Sequence, residues 1–294
     1  MAKTREIRKR IKAVGNIRRI TKTMQMIANS KFAKAQNVAK ATKPYTETLF
    51  EVLSQLAAGL GEVNHPLLDT GDQGQRPGKP LTLVITADRG MCGAYNSNVL
   101  RAAMEAFKEN PALRAGEVEC VGRKGQNFFK YQGVAVGRQH TQFGDKPTYE
   151  NVKALAETYI ERFLKGEISS VRVASMKFIS MGKQAPAVVQ LLPFKPEARD
   201  SAGTEAGAQA IYEFSPSAKE LLDDILPAGV KAVLFQAFND AVVSEHIARM
   251  VAMKAATDNA GKAGKRYTLV YNRARQAQIT TELTEIISGA AALA

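Results

Sequence analysis

Two cysteines, Cys92 and Cys120, and three histidines, His65, His140 and His246, are the side chains of this sequence with most scope for nucleophilic or proton-transfer chemistry. A cysteine nucleophile needs a base within hydrogen-bond reach. The five residues are scattered and share no motif spacing, so no catalytic pair is expected. The stretch "DRGMCGAYNSN" (88–98) follows an apolar run and imitates a phosphate-binding turn at a helix start. It has neither G-x-G-x-x-G nor G-x-x-x-x-G-K-[ST] spacing, and it reads as a structural turn. No cofactor and no metal site is expected. Two cysteines make no disulfide framework and suit a reducing compartment.

Charge is more telling than any candidate nucleophile. The 294 residues carry a net charge of +13. Residues 1–43 hold 13 Lys and Arg against one acid, Glu6. Residues 244–294 hold seven basic and four acidic residues. The rest of the chain is slightly acidic, so the positive charge belongs to the N-terminal segment. Such a segment suits an acidic partner: nucleic acid, an anionic membrane surface or an acidic protein face. The alternative of a basic coiled-coil nucleic-acid-binding protein is weakened by the absence of aromatic residues before Phe32 and of a groove-reading motif. The start lacks the apolar core of a secretory signal. There is no stretch of 18 uncharged apolar residues to span a membrane.

These charges sit on a long helix. Over residues 5–57, Ile7, Ile11, Val14, Ile17, Ile20, Met24 and Ile27 recur at steps of three and four, as in a coiled-coil seam. Pro44 predicts a kink or local break near Lys43. The Gly-, Pro- and Asp-rich residues 59–80 read as loop. Then the period changes. Residues 81–90 read as a buried strand followed by a turn, 116–125 as a second strand and turn, and "VAVGRQHTQF" as a third strand. Helices are read at 97–110, capped by Ser97 or Asn96, at "QNFFKYQG" and at 148–167, where Gly166 stops the helix. Residues 169–194 read as two strands around a turn at Met181–Gln184. Strands alternating with helices imply a largely parallel sheet finished by an antiparallel pair.

After a polar, small-residue stretch at 195–210, helical pattern returns to the end of the chain. Gly261 and Gly264 leave open a hairpin of two helices, although the lack of proline between 228 and 294 favours one. The expected fold class is α/β: a long antiparallel coiled coil of N- and C-terminal helices plus an α/β domain. The domain bounds are 1–58 and 211–294 for the discontinuous coiled coil, 78–194 for the α/β domain, and 59–77 and 195–210 for connecting loops. Helices of about 75 and 105 Å fit within no compact α/β domain, so they pair with each other. The longer C-terminal helix then projects past the N-terminal one.

Four stretches, "IRRITKTMQMIANSKFAKAQ" (17–36), "ITADRGMCGAYNSN" (85–98), "ARMVAMKAATDNA" (248–260) and "YNRARQAQITTELTEIISGAAAL" (271–293), resemble the gamma subunits of F-type ATP synthases, in order and end to end. The most specific match is the I-T-x-E-x-x-E-x-x-x-G-A pattern at Ile279, Thr280, Glu282, Glu285, Gly289 and Ala290. The resemblance implies a non-catalytic rotor shaft with a Rossmann-like α/β domain at its foot. Its partners would be three alpha and three beta subunits, an epsilon subunit and a c-subunit ring, with no nucleic acid. Its place would be the cytoplasmic face of a bacterial inner membrane, peripherally attached. Residues matching beta-subunit contacts are Arg275, Gln276, Arg249, Met24 and Lys22. Three of them have a plainer reading: Arg275 as a partner of the helix dipole, Arg249 on a solvated face, Met24 in the seam. Tyr212 and Glu213 fall where the family touches the c ring.

Overall fold

In the computed structural model the described residues are 2–60, 65–69, 76–194 and 218–293. Six helices and five strands follow in chain order: α1 (Ala2–Leu60), β1 (Lys79–Ile85), α2 (Tyr95–Glu109), α3 (Pro111–Ala115), β2 (Glu117–Val121), α4 (Arg123–Tyr131), β3 (Arg138–His140), α5 (Tyr149–Leu164), β4 (Ile168–Ser180), β5 (Lys183–Leu192) and α6 (Ala218–Leu293). The fold is the expected one, two long terminal helices and a central α/β domain. Pro44 lies inside α1 without breaking it, and α6 is one helix through Pro227, Gly261 and Gly264. The chain divides into two compact units: residues 1–30 with 249–294, and residues 31–248.

In the larger unit the strand order is β3-β2-β1-β4-β5. All neighbours are parallel except β4 and β5, as the βαβ rhythm of the sequence requires. The topology is Rossmann-like. Alternation along β1 sorts its side chains: Leu81, Leu83 and Ile85 enter one core with α5 and part of α6, while Val84 enters the other with α2 and α4. Burial of both faces explains why β1 reads as a nearly unbroken apolar run.

The cap of α2 differs from expectation. The N-cap is Ala94, with no side-chain cap bond. Asn96 is used elsewhere: its Oδ1 accepts the Ala87 N–H at 2.9 Å, and its Nδ2 donates to Cys92 Sγ at 3.2 Å. The start of α5 follows the usual rule, since Thr148 Oγ1 accepts the Asn151 N–H at 3.4 Å. Gly166, at φ 74°, takes the left-handed turn past its end.

Candidate interaction surface on the helix pair

In the smaller unit the two helices run antiparallel. Thr4 pairs with Gln278, Arg10 with Tyr267, Val14 with Gly264, Arg18 with Gly261 and Thr21 with Thr257, so one number falls as the other rises. On α6 the covered positions include Met253, Thr257, Ala260, Gly264, Tyr267, Tyr271, Ala274 and Gln278, which alternate in steps of four and three, flanked by half-buried Ala252, Ala256, Gly261 and Ala263. This is a heptad seam. On α1 it runs through Thr4, Ile7, Ile11, Val14, Thr21 and Ala28.

Ile7, Ile11 and Val14 therefore lie where the sequence puts them, and Met24 flanks the seam, half-buried. Ile17, Ile20 and Ile27 do not: they are 52%, 58% and 51% exposed. The reason is angular. Successive steps of three from Ile11 to Ile20 carry the stripe about 180° around a helix of 3.6 residues per turn. The seam instead keeps its 3–4 alternation by accepting Thr21 and Ala28. Arg18 fills its turn with its side chain, whose Nε lies 3.7 Å from where a Cβ on Gly261 would stand.

Polarity inside this seam has definite partners. Thr257 Oγ1 and Thr21 Oγ1 are 2.8 Å apart, and both residues are buried. Arg10 donates to Glu6 at 2.7 Å and also hydrogen-bonds Tyr267, which raises its already high pKa.

Among its exposed charges the helix pair also leaves large aliphatic side chains bare. Besides Ile17, Ile20 and Ile27, α6 exposes Val251, Leu269, Ile279, Leu283, Ile286 and Ile287. Beyond Thr280 every described side chain is exposed, and Thr4, in the first turn of α1, reaches Gln278 just before it. Contiguous bare aliphatic residues mark an interaction surface. Nine Lys and Arg between residues 3 and 22 add a positive field to it.

The candidate contact residues fall into two places. Lys22 is exposed and Met24 half-buried, within a turn of Thr21. Arg249 is half-buried, two turns before Thr257 on the opposing helix. Arg275 and Gln276 are exposed at the far end, roughly 40 Å along α6 from Arg249. Tyr212 and Glu213 lie outside the described residues. Sequence reading missed the Thr21–Thr257 pair; two threonines at seam spacing, each between apolar heptad neighbours, were the available signal.

The "DRGMCGAYNSN" turn is occupied by its own chain. Asp88 Oδ1 accepts the Arg123 N–H at 3.2 Å, and Asn96 takes the Ala87 N–H. Gly122, at φ 85°, packs so closely that a Cβ there would stand 2.3 Å from the Thr86 carbonyl oxygen. The N–H groups of Ala87 and Arg123, near the end of β1, are thus already engaged by side chains of the turn. His140 is not idle either. Its Nε2 lies 2.7 Å from Glu119 Oε2, which also accepts from Tyr159 OH at 2.6 Å, all three buried. Among the described residues no group of three or more His, Cys, Asp or Glu could hold a metal. Nor is any helix among them long and apolar enough to cross a membrane.

A family model described as ATP synthase matches residues 3–293. A protein of Rhodopirellula baltica named ATP synthase gamma chain is 40% identical over all of this chain and 99% of its own length. Its counterpart in Dechloromonas aromatica is 39% identical, covering all of both chains.

The chain belongs to the ATP synthase gamma-chain family.

The fold agrees with solved members of ATP synthase assemblies. A chain in the Euglena gracilis mitochondrial ATP synthase structure described as OSCP/F1/c-ring, rotational state 3, superposes with a TM-score of 0.70, covering 99% of this chain and 95% of that one at 20% identity. A chain in the rotor structure of the same enzyme gives 0.65, covering 95% and 99% at 18% identity. For a gamma chain, the seam and the bare outer face are consistent: one holds the helices to each other, the other is left for neighbours.

Proposed function

We propose that this chain is the central-stalk rotor of a bacterial F-type ATP synthase. It carries torque between a proton-driven c ring and the catalytic sites of three beta subunits, for ATP synthesis or, in reverse, for ATP-driven pumping. The chain itself is non-catalytic. It works at the cytoplasmic face of the inner membrane, attached through the complex. Residues 1–58 and 211–294 form the shaft, and residues 78–194 the foot, which meets the epsilon subunit.

One observation carries this reading: the C-terminal part of α6 continues past its pairing with α1 as a bare helix, apolar at Ile279, Leu283, Ile286 and Ile287. A helix in that state needs an apolar socket. Its last residues, Gly289 to Ala294, are small apart from Leu293. Small side chains interdigitate little, so turning against a ring of alpha and beta subunits meets low barriers. Arg275 and Gln276 sit exposed one turn before this tip, where they can grip a beta subunit at particular angles. Lys22, Met24 and Arg249 face the beta subunits lower down, where basic charge meets acidic segments. Tyr212 and Glu213 meet the c ring.

The test is co-expression with alpha and beta subunits of the same genome. Recovery of one copy of this chain per three alpha and three beta subunits, with ATPase activity absent from the separate components, supports the reading. A chain that fails to associate overturns it.

A further inference from the structure

The larger unit holds a cavity of about 780 Å³ between the helices and the outer part of the sheet. That volume is in the range of small-molecule sites, about 300–1,000 Å³. It is walled by α1, β4, β5 and α6, and nothing in the rotor reading uses it.

Strand register sorts the lining by chemistry. Val189 lies opposite Val173, and Ala187 opposite Ser175, with Leu191 beyond Val189 on the Val173 side. Lys177 lies two residues past Ser175, away from Leu191. On α6, Val233 and Ala237 come first and Asp240 follows. The Asp240 carboxylate is bonded by the backbone N–H of Phe178 and by Gln236 Nε2 at 2.8 Å, which fixes it at the Lys177 end. On α1, Thr42 meets Gln236 at 3.4 Å, bringing Lys40 and Lys43 to the same region. One end of the cavity is therefore mainly aliphatic, with Gln190 between Val189 and Leu191. The other carries Lys177 and Lys43 beside the Asp240 carboxylate, with Lys40, Phe178 and Ile179 also in the lining.

That polarity selects an occupant. A wholly apolar molecule would leave the lysine end unmatched. A cation would meet a net positive wall. A small inorganic anion would leave the aliphatic end empty. From Val173 to Lys177 the strand advances about 13 Å, room for an alkyl chain lying along it.

We infer that this cavity binds a single-chain anionic amphiphile of the fatty-acid kind, its tail among Val173, Val189 and Leu191 and its head at Lys40 and Lys177. Lys40 and Lys177 are exposed at the rim, so the head keeps access to water while the tail is covered. Asp240 opposes the anion and limits its affinity.

The test uses the full chain and the fluorescent probe 11-(dansylamino)undecanoic acid, below its micelle concentration. Binding should blue-shift the dansyl emission, and laurate should displace the probe. Laurate should outcompete octanoate, by about fourfold per added methylene. Lys40→Glu with Lys177→Glu should weaken binding about tenfold or more, and Asp240→Asn should tighten it. Ala237→Trp should exclude the probe. Circular dichroism of each variant confirms folding, and the exposed lysine pair gives a result even if Ala237→Trp does not fold. Equal binding of the methyl ester, weaker binding to Asp240→Asn, or no effect of the lysine reversals would overturn the inference. So would displacement by inorganic phosphate alone.

Discussion

Thr21 and Thr257 each have one hydroxyl proton to give. Thr21 Oγ1 is 3.0 Å from the Ile17 carbonyl, and Thr257 Oγ1 is 2.8 Å from that of Met253. If Thr21 donates along its own helix, its lone pairs remain open to the proton of Thr257. Thr257→Val should cost about 1 kcal/mol, and the double change to valine less than twice that, because it leaves no orphaned hydroxyl. Urea unfolding of the four-member cycle measures this. Two buried carboxylates respond to pH in opposite senses. Burial pushes Glu119 up, but the hydrogen bonds of His140 and Tyr159 and the charges of His140 and Arg138 outweigh it, and the group ends below its ordinary 4.5. Its contribution to stability is therefore present above that value and is lost as pH falls through the lower folded value. Glu119→Gln should destabilise at pH 7 by about 3 kcal/mol and flatten the acid limb of the unfolding profile. Asp240 is raised from 3.8 to about 6, chiefly by burial, against the opposing pull of Gln236, the Phe178 N–H, Lys177 and Lys43. Folding then takes up a proton, so Asp240 weakens the fold above pH 6 and the penalty fades as pH falls toward 4. Asp240→Asn should stabilise the chain at pH 8 by up to about 3 kcal/mol, with the gain shrinking toward pH 4. Thermal unfolding across pH reads both effects.

At the scale of elements, the seam tests how far helix pattern alone can be trusted. A methyl group added at Gly264 would meet only Val14 Cγ1, at 3.9 Å, and one added at Gly15 would meet nothing within 4 Å. Both glycines sit in helix with space to spare. Gly264→Ala and Gly15→Ala should each raise stability by about 1 kcal/mol, read from the unfolding midpoint. The same region shows what was legible. The apolar strand at Leu81–Ile85, the hairpin of β4 and β5, and the stop at Gly166 follow from local rules; the sheet order does not, because it is set by pairings between strands far apart in the chain. The seam was legible only to Val14. Past it, Ile17, Ile20 and Ile27 mimic a continuing stripe, because an outward apolar face for a partner and an inward one look alike in one sequence. Asn96 misled in another way: its side chain satisfies a tertiary donor, Ala87, rather than its own helix. The Glu119–His140–Tyr159 cluster joins β2, β3 and α5, separations that no local pattern encodes.

For the whole molecule, charge and bare surface set the expectations. Because the basic residues crowd into α1, association with partner subunits should slow as ionic strength rises and the field is screened. Stopped-flow mixing at low and high salt measures this. Removal of residues 281–294 should shift the unfolding free energy by no more than about 0.5 kcal/mol, since every described side chain there is already in water. The same truncation should lower ATP-coupled activity of the assembled complex, the readout that separates a tip in a socket from an idle end. The heptad spacing of the paired helices has one more consequence. A seven-residue repeat underwinds each helix to 3.5 residues per turn and coils the two around each other left-handedly. Torsion on such a pair has a sign: twist in one sense tightens the coil, and twist in the other loosens it. A shaft so wound is a spring with unequal stiffness for clockwise and anticlockwise load.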